Sequence, residues 1–349
     1  MVWFDALTPK QALLMAMCKF KFESLGYDTV LTTRVHDCNT WLLDQLNISY
    51  IVVGEYGGAS REGKLRASLE RSLKLFNVIN DLEEKPCLHV SLSSPDATRI
   101  AFGLGIPIIL FNDTPHSIYV NRLTLPLADK IIVPEAVPKE AFSYAVSPSK
   151  IVHYGGVDEF AWMKNFKPNI SVLDELDLSV DDRIVLVRSE EVKAAYYPRS
   201  GMVPTLIFVR KLLNRLSDIK IVYLPRYEDQ RKFVLKSFHD VIVPSGAIDS
   251  RSLAYYSCLV VSGGGTVVRE SALLGVPSLC LFRSRLHVND WLERRGFPIY
   301  WFKRVNDAVD FALKVLKKPD DYRVDVSSMI EELEDPVDVL IRVWGEIIG

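Results

Sequence analysis

Short apolar runs rich in β-branched residues alternate with helix-period stretches, and the alternation occurs twice along the chain. The first series is Val2-Trp3-Phe4, Thr29-Val30-Leu31, Tyr50 to Val53, Leu88-His89-Val90, Ile106 to Phe111, Lys130 to Val133 and Ile151 to Tyr154, with the clearest helical segment running from Arg61 to Leu82. The second is Ile184 to Val187, Lys220 to Leu224, Val241 to Val243, Leu259 to Val261 and Ser278 to Phe282, with helices near 204–216, 228–238, 266–274 and 305–316. Strands bounded by Gly, Pro, Asp or Asn and separated by helices predict parallel sheets covered by helices. At 349 residues the chain also exceeds what one hydrophobic core usually serves, so two α/β domains are expected. Gly155-Gly156-Val157-Asp158 breaks the first series, and the weakly periodic stretch with Pro168 after it reads as a linker. The expected division is 1–158, a linker over 159–181, a second domain over 182–326, and a tail over 327–349. In the tail, Asp335 is the expected N-cap, Pro336 the first helical residue, and Leu340, Ile341, Trp344 and Ile348 one apolar face.

Composition excludes several classes of function. A net charge of -2, from 42 basic and 44 acidic residues, gives no basic excess for binding nucleic acid. Five scattered cysteines without a CxxC pair indicate neither a disulfide framework nor a zinc site, and Asp181-Asp182 and Asp320-Asp321 lie in loop-like contexts rather than at strand ends. No metal is expected. The apolar stretch from Ala12 to Cys18 is short and flanked by Lys10 and Lys19, which fits neither a signal peptide nor a spanning helix, so a cytoplasmic protein is expected. Met15, Met17 and Phe20 would be the buried face of the first helix, or a contact to a membrane-held lipid acceptor.

The tract Ser262-Gly263-Gly264-Gly265-Thr266-Val267-Val268-Arg269-Glu270, followed by Leu274-Gly275-Val276-Pro277, carries the chemistry. It joins a buried strand to a helix, where small residues let a ligand approach and the first helical N–H groups favour a phosphate. It lacks the Gly-Lys-Ser/Thr ending of a P-loop and lies too late for a dinucleotide fingerprint, so a nucleotide-sugar site fits better. A tight turn without ligand is the structural alternative. Arg188, at the end of Ile184 to Val187, would open a loop outside the carboxyl end of its strand and suit bidentate capture of a diphosphate, with Arg226 the parallel candidate one strand on. Either arginine would equally serve a local ion pair.

Tandem α/β domains with this tract resemble the GT-B superfamily, two Rossmann-like domains facing a cleft, which includes MurG-type N-acetylglucosaminyltransferases and UDP-N-acetylglucosamine 2-epimerases. The opening Val2-Trp3-Phe4-Asp5-Ala6-Leu7-Thr8-Pro9-Lys10-Gln11 and the Gly-Gly-Gly-Thr-x-x-Arg-Glu tract look most like a largely archaeal group, domain-of-unknown-function family 354, over nearly the whole chain. The resemblance implies that Glu270 holds the ribose hydroxyls, that the backbone of Gly263 to Thr266 faces the diphosphate, that Asn289 follows the donor loop, and that the C-terminal helix returns to the first domain. It also places Asp113 roughly where the epimerases carry a catalytic glutamate, with His116 as a second base candidate in Asn112-Asp113-Thr114-Pro115-His116. A helix-capping Asp113 is the alternative. The Glu-Ala-Gly-x-Arg and Gly-Asp-Thr loops of the epimerases are missing, which favours transfer over epimerisation. Asp5 and Lys10, in the loop after the first strand, are further candidates for acceptor or phosphate contacts alongside Arg226 and Asn289, while His153 and Gly155-Gly156 resemble a hinge. The implied activity is metal-independent transfer of a sugar, UDP-linked, from a nucleotide diphosphate to an unknown acceptor. A UDP-N-acetylhexosamine 2-epimerase and a non-catalytic nucleotide-sugar binding protein stay open. The nucleotide sugar would be a substrate, and no cofactor is implied.

Overall fold

The computed structural model describes residues 1–193 and 203–348, and the chain divides into two compact units, Met1–Trp162 with Leu333–Gly349, and Met163–Glu332. The first unit holds β1 (Val2–Ala6), α1 (Pro9–Ser24), β2 (Thr29–Val35), α2 (Asn39–Gln45), β3 (Ile51–Glu55), α3 (Arg61–Asn80), β4 (Leu88–Ser91), α4 (Pro95–Gly103), β5 (Ile108–Phe111), α5 (Ile118–Thr124), β6 (Lys130–Pro134) and β7 (Ile151–Tyr154). All strand pairs are parallel, in the order β3-β2-β1-β4-β5-β6-β7. Thr8 caps α1 as its residue type predicts, accepting from the Gln11 N–H, with Pro9 in the first turn where its missing N–H costs nothing. The inner face of α1 buries Leu14, Met15, Cys18 and Phe22, while Phe20 stays exposed.

Helix α6 (Phe160–Met163) spans the division between the units. The second unit continues with α7 (Ser171–Asp174), β8 (Ile184–Arg188), α8 (Pro204–Leu213), β9 (Lys220–Leu224), α9 (Glu228–Ser237), β10 (Val241–Ile242), α10 (Ser250–Tyr256), β11 (Leu259–Ser262), α11 (Thr266–Leu273), β12 (Ser278–Cys280), α12 (His287–Arg294), β13 (Ile299–Trp301), α13 (Val305–Lys317) and α14 (Ser327–Glu331). Its six parallel strands run β10-β9-β8-β11-β12-β13. Alternate residues enter different cores. Val185 and Val187 join α8 and α13, whereas Ile184 and Leu186 join α7 and α10. A strand buried on both faces has no polar side to show, which is why β8 reads as a continuous apolar run.

The stretch 159–181 is less of a spacer than its weak periodicity predicts, because Val172 and Leu173 of α7 are anchored in the second unit's core. Strand β13, three residues long and directly after Pro298, is too short to show as a pattern in the sequence. The last helix, α15 (Pro336–Ile348), belongs to the first unit and lies against α1 and β6. Asp335 Oδ1 accepts from the Val337 N–H at 2.8 Å, the expected cap, and Leu340, Val343 and Trp344 are buried. The Ile348 side chain lies outside the described residues. No helix among the described residues is long and apolar enough to cross a membrane.

Candidate functional site

In the second sheet the chain leaves β8 towards β9 and β10 on one side and β11 towards β12 and β13 on the other, so the order reverses between β8 and β11. In open parallel sheets ligands lie outside the carboxyl ends of the strands at such a reversal. Arg188 and Ser262, the last residues of the two strands, are register partners there. The glycine tract therefore begins at the reversal itself.

None of its three glycines has a positive φ, so backbone freedom is not their reason. A Cβ on Gly263 would lie 2.0 Å from Glu190 Cγ, and one on Gly265 would lie 2.4 Å from Arg269 Nη1. Two of the glycines thus admit the protein's own side chains. Only Gly264 faces open space, with Ser262 Oγ at 3.9 Å as its nearest neighbour. The turn is fixed by Gly263 N donating to Arg188 O and Gly264 N to Ser262 Oγ. The first-turn amides of α11, Thr266 and Val267 among them, have no carbonyl one turn back and point out of the helix end.

Glu270 sits one turn into α11 and is 4 % exposed. Asn289, expected at the donor, is instead buried and accepts from Arg269 Nη1 at 3.2 Å, tying α12 to α11. Its carbonyl is committed to the protein. Arg188 Nη1 donates to Pro225 O at 3.0 Å, and Arg226 Nε donates to Ser189 O at 3.2 Å, so each arginine binds the loop that follows the other's strand. Both guanidiniums are held at the carboxyl ends of β8 and β9 without a long flexible reach. Glu190 folds over Gly263 and accepts from the Thr205 N–H and hydroxyl at the start of α8. Burial raises its pKa, against the pull of those bonds.

In the first unit the order reverses between β1 and β4. Asp5 is completely buried there, with Arg71 Nη2 at 2.6 Å, Thr32 Oγ1 at 2.5 Å and Ser94 Oγ at 2.6 Å. Burial opposes its charge, but the Arg71 charge and these bonds more than reverse that and hold its pKa low. Asp5 is therefore the counter-ion of a buried arginine and presents no oxygen to a ligand, contrary to its candidacy as an acceptor contact. Arg71 also reaches Asp96 Oδ2 at 3.4 Å and Val53 O at 2.9 Å.

Lys10 and Asp113 are brought together, and by residues that the sequence pattern did not single out. The Lys10 ammonium lies 2.5 Å from Asp113, 2.8 Å from Asp158 and 3.4 Å from Glu159. Burial, reinforced by Asp113 and Glu159 against the pull of Lys10, raises the pKa of Asp158. Tyr154 donates to Asp158 Oδ1 at 2.6 Å. In the sequence Asp158 and Glu159 read as a strand breaker and the start of a linker; the available signal is two adjacent acids shortly after the apolar run that ends at Tyr154. Asp113 does not cap α5, whose N-cap, Ser117, makes no side-chain cap bond. Its loop is set by Asn112, which accepts from Thr114 N and donates to Ser93 Oγ and Asn121 Oδ1, each at 2.9 Å. His116 is partly buried in the same loop. His153 bonds Val137 O, and a Cβ on Gly156 would lie 2.2 Å from Glu334 O, so the Gly-Gly pair accommodates the returning C-terminal segment.

Two Rossmann-like parallel α/β units, with a glycine turn at the strand reversal of the second, have the fold of the GT-B class. The chain belongs to the family described as protein of unknown function DUF354, whose model matches residues 1–348. It is 29% identical to the uncharacterized protein MJ0665 of Methanocaldococcus jannaschii over 347 residues, covering 98% of this chain and 96% of that protein. Among solved structures it resembles UDP-GlcNAc 2-epimerase from Methanocaldococcus jannaschii in complex with UDP-GlcNAc and UDP, with a TM-score of 0.73, 15% identity and 99% of each chain covered. Anabaena Alr3699/HepE in complex with UDP and glucose gives a TM-score of 0.65 at 13% identity, covering 100% of this chain and 99% of that one.

Proposed function

We propose that the second unit binds a nucleoside diphosphate sugar, UDP-linked, and that the protein transfers the sugar to an acceptor held by the first. The observation that carries this is the placement of Gly264 and the first-turn amides of α11 at the β8–β11 reversal, beside Arg188. Backbone N–H groups and a fixed guanidinium are suited to a diphosphate and would stabilise the charge growing on it as it leaves, the work a metal ion does elsewhere. Glu270 would take the ribose hydroxyls, and Asp113 or His116 would accept the proton of the acceptor hydroxyl. Lys10 holds the Asp113 carboxylate in place for that task.

One observation favours a second reading, epimerisation at the sugar. Elimination and re-addition of the nucleotide needs several acid and base groups near one carbon, and Asp113, Asp158 and Glu159 are gathered around Lys10. Thermal stability against UDP, dTDP, GDP, ADP and CDP tests the donor site first, since a ligand at one hundred times its Kd adds about 2.7 kcal/mol. A selective shift with one diphosphate is expected; no shift with any would remove the donor assignment. Product analysis then separates the activities. Free UDP formed only with an acceptor indicates transfer, an altered hexosamine without acceptor indicates epimerisation, and neither despite tight binding indicates a binding protein.

A further inference from the structure

Arg34 is a partly buried cation that the proposed chemistry does not use, and its place in the fold is unusual. The β2–β3 register shifts between Thr33 and Val35, where Arg34 of β2 stands opposite two residues of β3, Val53 and Gly54. The extra residue of β3 interrupts the ladder beside Arg34. Here the guanidinium is aimed at the β1–α1 loop, where Nε donates to Leu7 O at 3.1 Å, and it lies 5.3 Å from the centre of the Tyr56 ring. No carboxylate is in ion-pair range of Arg34 and its two terminal nitrogens donate to no group among the described residues. The acids whose field reaches it, Asp5 and Asp96, are bonded to Arg71. Burial, with the like charge of Arg71, lowers its pKa.

A buried cation normally has a counter-ion, because removing it from water costs several kcal/mol. The surroundings offer room for one from outside. Tyr56 forms a wall of a cavity of about 490 Å³ between the end of β3 and α3, lined also by Glu55, Arg66, Glu70 and Lys74. In that lining Arg66 and Lys74 stand against Glu55 and Glu70, and Arg71 is paired with Asp5 and Asp96. Arg34, at 5.3 Å, and the Lys64 ammonium, at 5.9 Å, both lie against the Tyr56 ring, on which His36 also stacks at 4.4 Å. Gly57 does not belong to a ligand loop, since a Cβ there would lie 2.3 Å from Gly63 O.

We propose that Arg34, with Lys64 beside it, binds the anionic group of the acceptor, a phosphate or a carboxylate, at the carboxyl ends of β1, β2 and β3. The unused edge of the guanidinium matches two oxygens of either group, and Tyr56 holds the cations in place when no ligand is bound. The ligand's identity as acceptor rests on the transfer reading above; the site does not.

The test is titration calorimetry of the full chain with glycerol 3-phosphate as the phosphate probe and lactate as the carboxylate probe, each with and without saturating UDP. At least one probe binds, the stronger one naming the group, and UDP does not displace it. Affinity falls about tenfold or more in Arg34→Gln and several-fold in Lys64→Gln, and is kept in Glu270→Ala. Partial recovery in Arg34→Lys marks a charge effect rather than a packing one, and with Lys64→Gln it carries the test if Arg34→Gln loses its thermal transition. The proposal is overturned if neither probe binds the wild-type protein, if Arg34→Gln and Lys64→Gln both bind as wild type does, or if UDP displaces the probe. Failure of UDP itself to bind would remove the donor assignment and leave the probe result standing.

Discussion

Glu190 occupies the space that a side chain on Gly263 would need. A Cβ there would sit 2.0 Å from Glu190 Cγ, inside any tolerable contact. The carboxylate is itself committed to Thr205 N at 2.9 Å, so it cannot swing away without uncapping α8. The glycine turn and the start of α8 are in this way one structure.

Gly263→Ala should consequently lower stability by about 1–3 kcal/mol, the usual cost of overpacking. The double variant Gly263→Ala/Glu190→Ala should lose less than the sum of the singles, because the clash is gone once Glu190 is truncated. Additive losses in denaturant titrations would show that the two residues do not compete for space.

Glu270→Ala should weaken UDP affinity, whereas Asp113→Asn should leave UDP affinity unchanged and abolish turnover. Calorimetry with UDP checks the first and product analysis the second. Normal UDP binding by Glu270→Ala would remove the ribose role.

Truncating Arg71 leaves Asp5 buried without its cation, and breaking a buried pair in this way costs about 3–5 kcal/mol. Arg71→Met should therefore destabilise strongly, and the double variant Arg71→Met/Asp5→Asn should recover part of the loss. A loss below 1 kcal/mol in Arg71→Met would mean that water reaches Asp5.

His89 is fully buried beside Trp3, their ring centres 4.4 Å apart, and burial lowers its pKa to about 4. The unfolded chain, with an ordinary histidine pKa near 6.5, takes up the proton first. The stability present above pH ~6.5 is therefore lost progressively as the pH falls to about 4, by roughly 3 kcal/mol from this one group. Asp158 and Glu190, whose pKa values are raised, act in the opposite sense, their folded forms losing stability as the pH rises through their own titrations. The comparison of wild type with His89→Gln isolates the histidine: the difference between them should shrink as the solution becomes more acid. A difference constant from pH 4 to 7 would contradict it.

Lys10→Met should destabilise at neutral pH by several kcal/mol, since Asp113, Asp158 and Glu159 then lose the Lys10 charge that they share. The defect should ease in acid, where the cluster can take up protons, and grow as the pH rises. Thermal melts across pH 5 to 8 check the slope, and an equal defect at every pH would argue against mutual repulsion.

Much of this protein is written in local sequence. Short continuous apolar runs such as Ile184 to Val187, bounded by turn residues, read as strands buried on both faces, because an extended backbone sends alternate side chains into two cores. Thr8-Pro9 and Asp335-Pro336 announce helix starts, and the glycine tract announces a strand-to-helix turn, because caps and turns are short-range chemistry. The partners of buried charges are not short-range. Asp5 and Arg71 are 66 residues apart, and Lys10 and Asp113 are 103 apart, joined only when the helices α3 and α1 pack against the sheet and its strand ends. No pattern along the chain reveals whether an acid at such an end meets a ligand or an arginine. Asp5 met an arginine, Asn289 met Arg269, and two of the three glycines made room for Glu190 and Arg269. The sequence determined the two sheets and the turn between β11 and α11, because those follow from period and backbone chemistry. Which polar groups face outward was decided by the tertiary structure, because a buried charge takes the best counter-charge that the folded strands bring within reach.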